Sequence, residues 1–77
     1  MKNIKVGDAV AFHYPDSTVI MHAVELNGVV GLIDPIGVFN DLKNISEDLD
    51  KPNVEINWTI PKGAKVEQSG AVEYVTI

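Results

Sequence analysis

Thr18-Val19-Ile20-Met21-His22-Ala23-Val24-Glu25-Leu26-Asn27-Gly28-Val29-Val30-Gly31-Leu32-Ile33-Asp34 is the stretch that decides the fold. In an extended chain, Ile20, Val24 and Leu26 lie opposite Val19, Met21 and Ala23. Apolar residues on both faces mark a strand that is central in its sheet or covered on both sides. Asn27 and Gly28 both tolerate the positive φ of a type I′ turn, so residues 29–34 are expected to fold back as the second arm of a hairpin.

Working outward, residues 8–14 alternate Val10, Phe12 and Tyr14 with Ala9, Ala11 and His13, which predicts a strand. Pro15-Asp16-Ser17 supplies the turn into the central run. On the other side, Pro35-Ile36-Gly37 ends the third strand. Phe39, Leu42, Ile45 and Leu49 then recur at helical spacing and predict a helix over about residues 40–50, capped by Asn40 or Asp41 and stopped by Pro52. The period returns to two in Val54, Ile56, Trp58 and Ile60, opposite Glu55, Asn57 and Thr59, the pattern of a half-buried strand. Short strands over 64–68 and 71–77 follow, separated by Ser69-Gly70. The expected fold is mainly β: one domain over residues 1–77, a small partly open antiparallel barrel of five or six strands with one short helix. In layout, though not in any motif, this order resembles the SH3-like and OB-like barrels.

A chain of 77 residues buries only about 60% of the surface its unfolded form exposes, so it needs a further prop. There is no cysteine, which excludes disulfides and thiolate-held zinc, while an apolar content of 45% is enough to cover a sheet face or edge against a second copy. A homo-oligomer is therefore expected. No window approaches the roughly 20 apolar residues of a membrane span, and the stretch from Met1 to Asp8 has no signal-peptide core, so the expectation is a cytoplasmic protein without membrane contact.

Eleven acidic residues face six lysines and no arginine, for a net charge of −5. Arginine is the usual reader of phosphate and guanine, and a basic stripe is the usual footprint of nucleic-acid binding; direct contact with nucleic acid is disfavoured. A basic protein partner suits this charge, and so does mere solubility.

Few residues carry chemistry. His13 and His22 stand on the two arms of the first hairpin and would share a face if the loop is even-numbered, so with Asp16 or Glu25 they are candidates for a two-histidine, one-carboxylate metal site; solvated or hydrogen-bonded structural histidines are the alternative. Ser17 lies in too tight a turn beside His13 and Asp16 to act as a supported nucleophile. Gly28-Val29-Val30-Gly31 leads into a strand and lacks the lysine of a phosphate loop. Glu47, Asp48 and Asp50 form an acidic cluster that fits a docking patch for a basic partner or a solvated face, and it lacks the glycine and final glutamate of a calcium loop. Trp58 is either core or a recognition anchor, and Tyr14, beside Asp16, is the better exposed aromatic.

No cofactor and no catalytic residue is expected. The functional expectation is a non-enzymatic interaction or assembly module that oligomerises and binds a protein partner through loops, with Tyr14, Asp16, Trp58, Glu47, Asp48 and Asp50 as candidate binding residues. Two alternatives stand beside it. One is an acidic inhibitor, of viral or mobile-element type, that fills the basic groove of a nucleic-acid-handling or defence complex. The other is a binder of small ligands at an oligomer interface.

Overall fold

The run from Thr18 to Leu26 forms a single strand, β2 (Thr18–Leu26), in the computed structural model, which describes residues 3–77. Met1 and Lys2, at the head of the N-terminal stretch considered above, lie outside the described residues. Around β2 are β1 (Ala9–His13), β3 (Val29–Ile33), β4 (Phe39–Asp41), the helix α1 (Ser46–Leu49), β5 (Val54–Ile56), β6 (Lys65–Ser69) and β7 (Val72–Thr76). All pairings are antiparallel.

The hydrogen bonds of β2 show how its two edges are shared. The Tyr14 N–H donates to the Ser17 carbonyl and the Ala23 N–H to that of Asp8, so the odd-numbered peptide groups of this segment turn toward β1. The even-numbered ones turn the other way, where Thr18 and Ile20 meet Val75 and Glu73 of β7, while Val24 and Leu26 meet Gly31 and Val29 of β3. One edge of β2 thus carries β1 and the other is divided between β7 and β3, so the sheet forks. It runs β4-β3-β2-β1-β5 with β7 and β6 branching from β2. Among the described residues no ladder joins β4, β5 and β6 to one another, so seven strands form an open sheet, not a closed barrel.

Two apolar clusters lie on opposite faces. Ile4, Val10, Ala23, Leu32, Leu49 and Val54 are buried on one, with Phe12, Met21, Leu42 and Ile45 against them. Ala11, Ile20 and Val75 are buried on the other, beneath Trp58, Ile60 and Ala64.

Two expectations need correction. Only Ser46–Leu49 is helical in the segment expected to be a helix over 40–50, because Phe39–Asp41 returns as β4 on β3. The turn before it starts this return: Asp34 Oδ1 accepts the N–H groups of Ile36 (3.1 Å) and Val38 (2.9 Å), which folds the chain back. Gly31 makes room for it, since a Cβ there would lie 2.3 Å from the Asn40 carbonyl oxygen and 2.6 Å from the Phe39 ring. The expected cap is absent too; Asp41 Oδ1 accepts the Lys43 N–H (2.9 Å), and the N-cap of α1 is Ile45, without a side-chain bond. Leu42, Ile45 and Leu49 still reach the core, which is what their spacing reported.

The strand expected over 54–60 stops at Ile56. Asn57 adopts φ 53°, and its side chain accepts the Ala9 N–H (3.0 Å) and donates to Asp8 (3.2 Å). The chain therefore crosses the sheet edge, so Val54 and Ile56 join one cluster while Trp58 and Ile60 join the other. Among the described residues no helix is long and apolar enough to cross a membrane.

Gly31→Ala should cost about 1–3 kcal/mol through forced displacement of β4. Equilibrium urea unfolding would show it as a lower midpoint with a β-type circular dichroism spectrum retained. Asp8 gives a pH test. The Lys5 N–H (2.9 Å), and then the Asn57 amide, hold its carboxyl below the ordinary carboxylate value. A depressed folded value means that the clamp contributes above the unfolded pKa and is lost as pH falls through the folded one. The Lys5 amide resonance should shift over that acidic window in the wild type and stay flat in Asp8→Asn.

Candidate functional site

On the α1 side of the sheet, Phe12 of β1, Met21 of β2 and Leu32 of β3 form an apolar floor. Ile45, Asp48 of α1, Lys51 and Asn53 from the loop after it, Asp34 and Asn40 from the β3–β4 hairpin, and the half-exposed Tyr14 complete the lining. The result is an open cleft of about 330 Å³.

Its walls are built rigidly. Asn40 Nδ2 donates to the carbonyls of Leu32 (3.2 Å) and Val38 (3.0 Å). Asn53 exchanges bonds with His13, accepting the His13 N–H at its carbonyl (2.8 Å) and donating from Nδ2 to the His13 carbonyl (3.1 Å). Asp34 is held by the two N–H groups of its own turn. The Asp48–Lys51 ion pair, 2.9 Å long, is exposed on both sides and so is worth little in water; either group can exchange its partner for an incoming charge. The same pair raises the pKa of Lys51, so the ammonium stays charged.

Comparison with known proteins finds no matching family model, curated protein or solved structure. The geometry alone therefore carries the functional reading. Among the described residues the lining contains no histidine, serine, threonine or cysteine, while it presents two carboxylates, that of Asp48 paired with the Lys51 ammonium, two anchored amides and a half-exposed phenol around an apolar base. Such a surface suits an apolar group with a positively charged or donor-bearing neighbour.

The candidate binding residues are divided by the fold. Tyr14 and Asp48 line the cleft together. Asp16 lies at the β1–β2 turn, in a smaller hollow of about 110 Å³ that it shares with Tyr14, Ser17 and Thr18. Glu47 and Asp50 are exposed beside Asp48 but do not line the cleft. Trp58 is on the opposite side of the sheet, away from the cleft. Sequence reasoning missed Asn40, which reads there as a helix cap, and Asn53, which ordinary loop composition disguised. It also missed Phe12 and Met21 as a shared floor, although the four-residue loop Tyr14–Ser17 sets the register that puts Val10 opposite Met21 and Phe12 opposite Val19.

That even loop also settles the histidines. His22 pairs with Ala9, which alternates with His13, so the two imidazoles do share a face. They stand at opposite ends of the hairpin, four residues or roughly 13 Å apart along the strand. Each has its own glutamate: His22 Nε2 lies 2.8 Å from Glu73 Oε1 and His13 Nε2 3.2 Å from Glu55 Oε1. Neither Asp16 nor Glu25 is the partner, and no group of three or more metal-ligating side chains gathers among the described residues. His13 Nδ1 is also 2.8 Å from the buried Thr18 Oγ1, and its ring meets Trp58 edge to face at 4.8 Å. This imidazole fastens the segment 57–64 over the second apolar cluster.

His13→Ala removes those contacts and should cost about 1–2 kcal/mol. Trp58 is the sole tryptophan, so its emission should also move to longer wavelength, and a wild-type emission maximum in the folded variant would refute the fastening role.

Proposed function

We propose that this chain is a non-enzymatic protein-binding module whose cleft receives an apolar side chain of a partner segment flanked by lysine or arginine. The observation that carries this reading is the meeting of Tyr14, Asp34 and Asp48 over the floor of Phe12, Met21 and Leu32. The apolar base supplies burial, a half-exposed tyrosine supplies contact area at low entropic cost, and Asp34, joined by Asp48 when it exchanges Lys51 for an incoming cation, selects a basic neighbour. The net charge of −5 favours approach of the same kind of partner. We read the forked sheet as a partly open barrel of SH3-like or OB-like kind, with the cleft beside its long central strand.

An acidic inhibitor of a basic groove is the competing reading, and the exposed acidic groups around α1 favour it. It would draw on Glu47, Asp48 and Asp50 together and would not need the apolar floor.

Titrating labelled protein with synthetic peptides that carry leucine or phenylalanine beside lysine or arginine tests the choice by nuclear magnetic resonance. The expected result is shifts confined to Tyr14, Asn40, Asp48 and Asn53, with affinity reduced about tenfold in Tyr14→Ala, a loss of about 1.4 kcal/mol. Binding that survives Tyr14→Ala but is lost on reversing Glu47, Asp48 and Asp50 to lysine would support the inhibitor instead. Absence of binding to every peptide would remove the cleft reading.

A further inference from the structure

β6 is the longest edge that the sheet leaves open. β4 and β5, the other outer strands, have three residues each, too short to template much pairing, whereas β6 has five and pairs only with β7 among the described residues. All five of its residues are exposed.

The phase of the hydrogen bonds determines what this edge presents. Since Thr18 and Ile20 turn their peptide groups toward β7, their partners Val75 and Glu73 turn theirs toward β2. Val72, Tyr74 and Thr76 must then turn theirs toward β6, where they meet Ser69, Glu67 and Lys65. The peptide groups of Val66 and Gln68 are left pointing outward, with N–H and C=O unmatched by the sheet. Val66 adds an apolar side chain that is 43% exposed.

The side chains of this edge are self-complementary about one point. An antiparallel partner strand of identical sequence, placed on a two-fold axis through Val66, brings Lys65 opposite the second copy's Glu67 and Glu67 opposite the second copy's Lys65. Val66 then faces its own counterpart, and the outward N–H and C=O of the two valines exchange both bonds of a closely spaced pair. An axis through Glu67 would instead set glutamate against glutamate, which costs energy. The Lys65–Glu67 contact within one chain, 3.0 Å long and well exposed, is easily given up for the contacts across the axis.

We infer that the chain forms a two-fold homodimer by antiparallel pairing of β6 with β6, in the register centred on Val66. The dimer continues the sheet across the axis and consumes the longest free edge in both copies. This interface is separate from the cleft, so a partner peptide and a second copy can be held together.

Sedimentation velocity and light scattering over a dilution series reaching the millimolar range test the inference on the intact chain. The wild type is expected to move from monomer mass to twice that mass. Val66→Pro removes the outward N–H while leaving every bond to β7 intact, and proline is tolerated where a strand's N–H faces solvent, so this variant should stay monomeric with an unchanged circular dichroism spectrum. Lys65→Glu should weaken association at least about tenfold by setting like charges across the axis, and Lys65→Glu combined with Glu67→Lys should restore it. The two charge variants decide the matter even if Val66→Pro fails to fold. A wild type that remains monomeric at millimolar concentration would overturn the inference, as would a dimer indifferent to Lys65→Glu or one that the double exchange fails to restore.

Discussion

Everything in this fold depends on the division of one edge of β2. A nine-residue strand has more backbone hydrogen-bonding groups on each edge than a five-residue neighbour can satisfy. β7 takes the first part of the edge and β3 the second. The two neighbours belong to distant parts of the sequence, so the strand ties the last residues of the chain to its first hairpin. The first part of β2 also lies between two apolar clusters, giving Met21 and Ala23 to the one around Leu32 and Leu49 and Ile20 to the one around Ala11 and Val75.

Those elements whose causes are local could be read from the residues. Asn27 and Gly28 do adopt positive φ, 51° and 79°, and join β2 to β3 as a two-residue hairpin requires. β1, β2 and β3 lie within the spans expected for them. Where a local cue had two outcomes, a distant contact decided. Phe39 has the spacing of a helical stripe, yet the space above Gly31 draws it into a strand. The alternation through Val54, Ile56, Trp58 and Ile60 is regular, but Asn57 reverses the backbone because its amide finds Asp8 and Ala9, 49 and 48 residues away.

The candidate site was legible only in fragments for the same reason. Tyr14 and Asp48 stand out in the sequence as an exposed aromatic and an acid, but what brings them to one cleft is the seating of α1, through Leu49, in the cluster that holds Val10 and Ala23. Trp58 is a candidate anchor by residue type, as Tyr14 is, although a strand that changes sides at Asn57 delivers the indole to the far face. The glutamate partners of the two histidines come from β5 and β7, 42 and 51 residues away, and no spacing rule along the chain could have named them.

The two faces of the sheet have consequently been given opposite kinds of polar chemistry. On the Trp58 face the polar groups are turned on one another: both ring nitrogens of His13 have partners, and the buried Thr18 hydroxyl is one of them. Self-satisfied groups of this kind hold a crossing segment in place and offer little to a visitor. On the α1 face the polar groups stand around a depression in which Phe12 and Met21 are only partly covered above the buried Leu32, and its ion pair is exposed enough to exchange partners. The polar groups of one face are thus spent on one another, while those of the other surround apolar surface; the fork in β2 lets a chain of 77 residues carry both arrangements on a single sheet.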